Sequence, residues 1–426
     1  MHVPDLRFGH APLPAAAPGY DPAGDALALI APGTPSPAPQ PIPGDQDFDS
    51  LGAGHRFVVR VPAAWNGDLV VCGTPATRSE CANDATLGDF LLARGYAFAT
   101  SNKGIPYNAV LEPAQDASDP AASYPIPFDD DGSVAAGSEA VLRLGALTPQ
   151  ALDVAAWHVD LANVTRAAKD RIRSGQGREP RRTYALGLSI GGGQVRYLLE
   201  RFPELIDGGI EWASVFWDPD QNLLTSLPPF LRNMPAYRAV DRHDASAHAA
   251  IVAAGFPPDR RGTMSDHRSL WDDHYASPPF YTDLTVFAFA KLLDPLAGSL
   301  DSLERRAAYR PSHAARARIA TFAHTGALER PLIGIAGDAD VLVPPQHHAA
   351  PYFDAVCRAG RAQNYCQYVV TGGPHVDAYA NFGYGLVPQV PFVWRAFERL
   401  VVAVEAHEPL PGAGTVRSVH TPLDIV

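Results

Sequence analysis

The sequence predicts an α/β fold, in which a mostly parallel central sheet is flanked by helices and carries a large, mostly helical insertion. Two observations support this fold class. Short strand-like apolar runs alternate with longer amphipathic segments over residues 46–213 and again over residues 328–410, as expected for parallel strands joined by helices. The alternation stops in residues 214–327, where helix-like segments and clusters of Trp, Tyr, Phe and Pro predict a lid over the core.

Composition and charge limit the classes of function. The 426 residues are 46% hydrophobic and 19% charged, which is enough apolar material for a large buried core. A formal net charge of −12 and the lack of any basic run argue against a nucleic-acid partner. Only Lys103, Lys169 and Lys291 of the 34 basic residues are lysines, a bias typical of GC-rich bacterial genes.

The sequence predicts a soluble protein with no membrane anchor. No stretch approaches the roughly 18 uninterrupted apolar residues that a membrane-spanning helix needs. The first residues, Met1–Asp5, have neither the basic start nor the apolar run of a signal peptide. We therefore expect either a cytoplasmic protein or a secreted or periplasmic one whose leader has been removed.

Four cysteines form two nearby pairs in the sequence, Cys72 with Cys81 and Cys357 with Cys366. The second pair brackets a predicted helix-to-strand turn and is the better disulfide candidate, while four buried thiols are the alternative. Neither pair has the ligand spacing of a zinc site, so no metal is expected.

The first elements follow in chain order. Residues 1–45, rich in Pro, Ala and Gly, predict an irregular arm. The alternating run His55–Pro62 and the apolar run Asp68–Gly73 predict a hairpin leading into a buried strand. Leu87–Arg94 is helix-like and Ala97–Ser101 is strand-like, so a right-handed parallel crossover is expected here.

A long interruption and the clearest helix come next. The acidic, Pro-rich residues 107–145 predict a rim loop or cover. Thr148–Pro149 supplies an N-cap and a first helical Pro, and the helix they open ends near Ser174–Gly175. The short strand Tyr184–Leu186 then runs into a glycine-rich turn, and the helix Gln194–Phe202 follows.

After the insertion the alternation of strand and helix resumes. The C-terminal residues 411–426 are expected to form a tail. The elements predicted before it are the strand Pro331–Ala336, the helix Gln346–Ala359, the strand Tyr365–Thr371 and the amphipathic helix Pro391–Ala406.

The pentapeptide Gly187–Gly191 (GLSIG) lies between a predicted strand and a predicted helix. In that context a Gly-x-Ser-x-Gly sequence is typical of the sharp turn that presents a nucleophilic Ser above a sheet. An alcohol becomes an effective nucleophile only when it is exposed, oriented and relieved of its proton by a base. Ser189 is therefore the candidate nucleophile, and a glycine-rich turn with an incidental Ser is the alternative.

The partners of such a Ser are an acidic residue and then a His, in that chain order. Asp340 follows the strand Pro331–Ala336, at the sheet edge where open α/β sheets gather their sites. We choose it over Asp338, which would hold the turn; an ordinary Asp turn is the alternative. His375 follows a glycine loop and would accept the Ser189 proton, while Asp340 fixes the tautomer of His375.

The remaining histidines do not occupy a comparable position. His347 and His348 begin the helix after the acidic residue, and His267 and His274 lie in the helical insertion. For these four residues we expect a surface position or a substrate contact.

Acyl transfer also requires hydrogen-bond donors for the oxyanion. The N–H of Ile190, next to the nucleophile, is the expected first donor. The loop Cys72–Pro75 resembles a His-Gly-x-Pro oxyanion motif with Cys in place of His. By that match Thr74 supplies the second donor, because Pro75 has no N–H. This chemistry needs no cofactor.

From about His55 to His407 the chain resembles serine α/β-hydrolases. Two stretches are similar to tannases and feruloyl esterases: Trp65–Gly67 with the later Leu92–Ala97, and Gly187–Gly193 with Arg201–Glu204. The resemblance implies hydrolysis of a carboxylic ester with a bulky, often aromatic, acyl or alcohol part.

The chain departs from those enzymes at two positions. They carry one Cys before the nucleophile and another after the catalytic His, joined in a disulfide, whereas this chain has Leu188 and Val376 there. Hydroxyalkanoate oligomers, other polyester fragments or small aryl esters fit equally well as substrates. The same residues would serve a lactonase, amidase or peptidase, and a noncatalytic binding protein with this fold is a third hypothesis.

Aromatic residues of the predicted lid are expected to shape an apolar substrate pocket. The oligomeric state is not predicted by the sequence. The candidate substrate contacts are Trp217, Phe230, Trp271 and Tyr281.

Overall fold

The structure is a computed structural model of the chain. It describes residues 44–52, 55–76, 82–83, 87–104, 112–113, 140–141, 153–239, 244–263, 269–275, 281–298, 300 and 302–426. Almost all of the predicted N-terminal arm and most of the acidic insertion lie outside these residues.

The described strands are short, and most of them are buried. They are β1 (Gly44–Gly52), β2 (His55–Pro62), β3 (Leu69–Gly73), β4 (Ala97–Ser101), β5 (Glu112–Pro113), β6 (Ala140–Val141), β7 (Thr183–Leu188), β8 (Gly208–Trp212), β9 (Leu332–Gly337), β10 (Tyr365–Val370) and β11 (Val416–Val419).

The described helices lie between these strands and in the insertion that follows β8. They are α1 (Asp89–Ala93), α2 (Val154–Gln176), α3 (Ile190–Arg201), α4 (Leu223–Ser226), α5 (Pro228–Ala239), α6 (Ala245–Ala253), α7 (Leu270–Tyr275), α8 (Tyr281–Leu293), α9 (Leu303–Ala307), α10 (His313–Ala320), α11 (Pro345–Arg358) and α12 (Val390–Ala406).

Nine of the described strands form one sheet in the order β1-β2-β4-β3-β7-β8-β9-β10-β11, and β5 pairs with β6 apart from it. Strand β2 is antiparallel to both of its neighbours. All pairs from β4 to β11 are parallel. A single inverted second strand, with this crossover order, is the arrangement of the α/β-hydrolase fold, so the predicted fold class is confirmed.

The two faces of the sheet are covered by different helices, because successive side chains of a strand point to opposite faces. On β3, Leu69 and Val71 pack in a core with α2, α3 and α11, whereas Val70 and Cys72 pack in a core with α1 and α12. All five residues of β3 are buried. Burial on both faces explains why the central strands are continuous apolar runs rather than alternating ones.

Two predictions about the first strands are wrong. Regular structure is already present before His55, in β1, which pairs with β2 along nearly its whole length. The predicted hairpin between His55–Pro62 and Asp68–Gly73 does not form, because β4 inserts between β2 and β3. Pairing of strands that are distant in the chain is a tertiary effect, and local alternation does not encode it.

The predicted start of the long helix is also corrected. Helix α2 begins at Val154, and its N-cap is Asp153, whose side chain accepts a hydrogen bond from Ala155 N. The predicted cap, Thr148, lies outside the described residues. Asp and Thr are both favourable N-cap residues, so residue type alone does not exclude a start five residues further along the chain.

The insertion and the tail are more regular than the sequence indicated. Helices α4–α10 are the described helices of the insertion, and α4, α7 and α8 contribute residues to a cavity that also contains Ser189. The predicted tail adds β11, which pairs in parallel with β10 at the sheet edge. None of the described helices is both long enough and apolar enough to cross a membrane.

Candidate active site

The Gly187–Gly191 turn joins β7 to α3, and its glycines permit a close approach to β3. A Cβ atom on Gly187 would collide with the carbonyl oxygen of Gly191, and one on Gly191 would collide with that of Gly73. Ser189 has φ +59°, a left-handed conformation that residues with a side chain rarely adopt. This strained turn places Ser189 at the N-terminus of α3 with its hydroxyl above the sheet.

The acidic loop follows β9 and the His loop follows β10. The two loops touch: Ala339 N donates to Gly373 O at 3.0 Å, and a Cβ atom on Gly337 would collide with that same carbonyl oxygen. Asp338 Oδ1 accepts a hydrogen bond from Gly372 N at 2.6 Å, which closes the turn between the loops. Asp338 therefore holds the loop, and the next acidic residue faces the site.

Ser189, His375 and Asp340 form a continuous chain of hydrogen bonds. His375 Nε2 lies 3.1 Å from Ser189 Oγ, and His375 Nδ1 lies 2.8 Å from Asp340 Oδ2. The other carboxylate oxygen of Asp340 accepts from Leu342 N at 2.9 Å and from Val343 N at 2.7 Å. Asp340 is fully buried, so these three donors replace the water that the carboxylate lost on folding.

The His loop is anchored to the start of α12. Asp377 accepts hydrogen bonds from Gln389 N at 2.6 Å and from Val390 N at 2.9 Å, and Gln389 Nε2 donates to Pro374 O. Burial raises the pKa of the Asp377 carboxyl to about 7, against the opposing effect of its two backbone donors. These contacts fix His375 from the side opposite to Asp340.

The predicted second oxyanion donor is directed elsewhere. The Thr74 N–H donates to Gln194 Oε1 at 3.1 Å, and Gln194 Nε2 in turn donates to Trp157 O. Thr74 is 1% exposed and does not line the cavity beside Ser189; the next two residues, Pro75 and Ala76, do. The motif match predicted the right loop but not where the Thr74 N–H points, because Gln194 comes from a different element.

A partly open cavity contains Ser189 and His375. Its empty space is about 630 Å³, including the part open to solvent. Ile190, the first residue of α3, also lines it, and the first N–H groups of a helix have no acceptor within the helix. Most of the remaining lining is apolar: Leu188, Val215, Leu223, Phe289, Leu342, Val343 and Val376.

A second His lines this cavity. His274, on α7, is fully buried, and its ring stacks on Tyr379 at 4.4 Å between ring centroids. Burial lowers the pKa of the His274 imidazole to about 4, so the ring is neutral at pH 7. From the sequence we expected His274 either to lie at the surface or to contact the substrate. The structure rules out the surface position.

Three of the four aromatic residues expected to contact substrate do not line the cavity. Trp217, Phe230 and Trp271 are each 0% exposed. Phe230 and Trp271 pack edge to face, and Trp271 Nε1 donates to Pro257 O at 3.0 Å. These rings form the core of the helical insertion, where large apolar side chains bury the most surface. The side chain of Tyr281 lies outside the described residues.

Two further histidine expectations are corrected. His348 is buried, and its Nδ1 accepts a hydrogen bond from Phe216 N at 3.1 Å. His347 is half-buried, with Nε2 2.6 Å from Ala254 O. Both histidines therefore contact backbone segments of the insertion, and neither is among the residues that line the cavity containing Ser189. His267 lies outside the described residues.

The cysteine prediction is wrong for the pair that the structure describes in full. Cys357 and Cys366 are both free thiols. Cys357 is exposed near the end of α11, whereas Cys366 is buried within β10, so the two side chains lie in different environments. Cys72 is buried, and Cys81 lies outside the described residues.

Among the described residues, no group of three or more His, Cys, Asp or Glu side chains is placed to hold a metal ion.

The sheet order, the strained Ser turn and the buried Ser189–His375–Asp340 contacts together define a class. The chain has the α/β-hydrolase fold, and its Ser189, His375 and Asp340 are arranged as a serine hydrolase would need them. The resemblance to that superfamily, expected from the sequence, is thereby confirmed.

Comparison with known proteins agrees with this class. A family model described as 3HB-oligomer hydrolase matches residues 285–423, about a third of the chain. That segment contains Asp340 and His375 but not Ser189. No curated protein sequence matches the chain at a significant level.

Three solved structures are similar to this one. Feruloyl esterase B from Aspergillus oryzae is 12% identical over 84% of this chain and 80% of that chain, with a TM-score of 0.49. Pyrococcus horikoshii acylaminoacyl peptidase is 12% identical; the similarity covers 84% of this chain and 42% of the peptidase, with a TM-score of 0.42. A Pyrococcus furiosus esterase is 13% identical; the similarity covers 83% of this chain and 92% of the esterase, with a TM-score of 0.41. This chain spans less than half the length of the peptidase, and at these scores the similarities carry no conclusion about activity.

Proposed function

We propose that this protein hydrolyses carboxylic esters through an acyl-enzyme on Ser189. The observation that carries this proposal is the continuous hydrogen-bonded path from Ser189 Oγ through the His375 ring to the Asp340 carboxylate. That geometry is the one acyl transfer requires: a nucleophile within reach of a base, and a base whose tautomer is fixed by a buried acidic residue.

Each residue then has a defined part in the reaction. His375 Nε2 takes the proton of Ser189 Oγ as that oxygen attacks the ester carbonyl, and the C–O bond to the alcohol breaks when His375 returns the proton to the leaving oxygen. Water then gives a proton to His375 as its oxygen attacks the acyl carbonyl; the C–O bond to Ser189 breaks, His375 returns that proton to Ser189 Oγ, and the carboxylic acid is released. Throughout, Asp340 accepts the Nδ1–H of His375 and stabilises the imidazolium.

Two backbone donors are assigned to the oxyanion. The first is Ile190 N, adjacent to the nucleophile at the start of α3, where the helix dipole also favours negative charge. For the second we assign Ala76 in place of Thr74, because the cavity is lined at this loop by Pro75 and Ala76 and only Ala76 has an N–H.

For the substrate class we propose aliphatic hydroxyalkanoate esters, such as short polyester fragments. The cavity is lined largely by aliphatic side chains, and Trp217, Phe230 and Trp271 of the insertion are buried away from it. The family model that matches residues 285–423 is described as 3HB-oligomer hydrolase, which points in the same direction. In this proposal, helices α4, α7 and α8 act as a lid over the bound acyl chain.

Two experiments test the proposal. A fluorophosphonate probe is expected to form one adduct, mapped by peptide mass spectrometry to Ser189, and to abolish hydrolysis; an adduct elsewhere, or none, contradicts the nucleophile assignment. A panel of 3-hydroxybutyrate dimer, ethyl butanoate, a δ-lactone and a butyryl anilide then compares bond types. Faster cleavage of the lactone or the anilide than of either ester would replace the esterase proposal with a lactonase or an amidase.

A further inference from the structure

Thr74, in the loop that follows β3, is held by hydrogen bonds from three directions. Its N–H donates to Gln194 Oε1 at 3.1 Å, and its carbonyl oxygen accepts from Lys103 Nζ at 2.8 Å. Its hydroxyl donates to Ser101 O. All four residues are buried, so water does not compete for these bonds. The backbone of Thr74 is therefore fixed on both its N–H and its carbonyl side.

A fixed Thr74 leaves little freedom to the N–H of Ala76, the proposed second oxyanion donor. The ring of Pro75 locks its φ, and the peptide bonds on both sides of Pro75 are planar. With the Thr74 carbonyl held, rotation about ψ of Pro75 is the main motion left to the Ala76 N–H. Ala76 has φ +40°, a strained conformation for a residue with a side chain, and such strain persists only where the surrounding structure holds it.

Gln194 connects this loop to the helix that carries the first oxyanion donor. It lies four residues after Ile190, about one helical turn along α3. Its Nε2 donates to Trp157 O on α2, which directs the amide oxygen toward Thr74. The amide of Gln194 thus links α3, which carries the Ile190 N–H, to the loop that carries the Ala76 N–H.

Two donors from different elements must meet at one oxygen of the substrate. Oxyanion donors act at about 2.7–3.1 Å, and a misplacement of about 1 Å can cost roughly 10²-fold in rate. We propose that Gln194 is a positioning residue, which holds the Ala76 N–H at a fixed distance from the Ile190 N–H so that both donate to the oxyanion formed at Ser189. Gln194 is not among the residues that line the cavity, so it acts through Thr74. This inference rests on the proposed esterase function and adds the residue that organises its oxyanion hole.

Gln194→Met tests the proposal, because Met has a similar size and makes neither hydrogen bond. With ethyl butanoate as substrate, kcat is expected to fall by about 10²-fold, the cost of one oxyanion donor. KM should stay nearly unchanged, since the donor acts in the transition state and the cavity wall is intact. A trifluoromethyl ketone forms an adduct with Ser189 that carries an oxyanion, so its affinity should fall by a similar factor.

Each kcat is divided by the concentration of Ser189 that the fluorophosphonate labels at completion, so that unfolded protein does not count. Glu200→Gln is the matched control. Glu200 is also buried on α3, but its carboxylate accepts hydrogen bonds from Thr325 and Gly326, away from the oxyanion loop. This control is expected to lower the thermal unfolding temperature and to leave kcat per labelled site nearly unchanged.

Gln194→Asn replaces the Met variant if the latter does not fold. Its amide is one methylene shorter and cannot reach Thr74 N and Trp157 O together, so lower kcat and weaker ketone binding at nearly constant KM are again expected. A kcat per labelled site at the wild-type level, or a rise in KM in place of the fall in kcat, overturns the role of Gln194. If the wild-type protein neither cleaves the ester nor takes the label at Ser189, the proposed function itself fails.

Discussion

Ser189 adopts a left-handed backbone conformation that costs free energy and is held by its neighbours. Its N–H donates to Trp212 O at 2.9 Å, and its carbonyl oxygen accepts from Gly193 N at 3.1 Å and Val215 N at 3.2 Å. These hydrogen bonds tie the strained residue to β8 and to α3, so the strain persists in the folded state. The result is that Ser189 Oγ faces His375 and the cavity.

Ser189→Ala and His375→Ala are each expected to lower kcat by at least about 10³-fold, because members of a triad act as a unit. Ser189→Ala removes only the Ser–His hydrogen bond, so its thermal unfolding temperature should change little, whereas His375→Ala also takes the Nδ1–H from the buried Asp340 carboxylate and should lower it. Ester hydrolysis and thermal unfolding of the purified variants check both statements. Activity within tenfold of wild type in Ser189→Ala would contradict the assignment.

Asp340→Asn and Asp338→Asn form a matched pair two residues apart. Asp340→Asn is expected to reduce kcat by about 10⁴-fold, because the amide can present an N–H to His375 and favour the wrong tautomer. Asp338→Asn keeps an acceptor for Gly372 N and is expected to retain most activity. Steady-state kinetics of both variants identify the acidic residue that orients His375. If Asp338→Asn lost more activity than Asp340→Asn, Asp338 would be that residue.

Helix α3 is fixed by buried charges on the side away from the cavity. Arg196 Nη2 donates to both carboxylate oxygens of Glu211 on β8, each at 2.8 Å, and both side chains are almost completely buried. His324 bridges the same region, since its Nε2 lies 2.9 Å from Gly193 O and its Nδ1 accepts from Trp217 N. These contacts set the position of the helix that presents Ser189 and Ile190.

Arg196→Met is expected to lower the free energy of unfolding by about 3–5 kcal/mol, because it leaves the Glu211 carboxylate buried without its cation. The double variant Arg196→Met with Glu211→Leu should recover much of that loss, since no charge is then stranded. Urea denaturation of the two variants measures the difference. Equal destabilisation of the single and the double variant would show that the charge is not the cause.

The whole molecule carries several histidines that folding keeps neutral. Burial lowers the pKa of His158 and of His274 to about 4, and burial holds the pKa values of His324 and His348 well below the usual range. Between about pH 4 and 6.5 the unfolded chain binds protons that the folded protein does not, so stability falls as the pH falls. Burial raises the pKa of Asp377 and of Glu200. A raised carboxyl pKa increases stability as the pH falls, which opposes the effect of the histidines, but fewer groups act in this sense.

The free energy of unfolding is therefore expected to be lower at pH 5 than at pH 7.5, with each neutral His contributing up to about 1.4 kcal/mol per pH unit. Urea denaturation across this range measures the slope. His158→Phe provides the comparison, because His158 stacks on Phe322 and a ring of similar shape keeps that contact. The variant should show a shallower slope, and an unchanged slope would contradict the contribution of His158.

Local pattern was enough to predict much of this protein. The strand Ala97–Ser101 has the predicted limits, and the GLSIG turn lies between a strand and a helix as expected. Asp340 and His375 could be selected because each follows a strand, and the carboxyl ends of parallel strands meet at one edge. These features depend on residues close together in the chain. Backbone sterics and the spacing of apolar residues determine such local structure without help from distant contacts.

The sequence by itself therefore determined the fold class and the residues that could form a triad. Only the tertiary structure decided that β4 separates β2 from β3, that Gln194 takes the N–H of Thr74, and that the expected aromatic contacts are core residues. It also placed His274 in the wall of the cavity that contains Ser189. Each of these features depends on contacts between residues far apart in the chain. Packing sets which residues meet and where their side chains point, and no local sequence pattern specifies that packing.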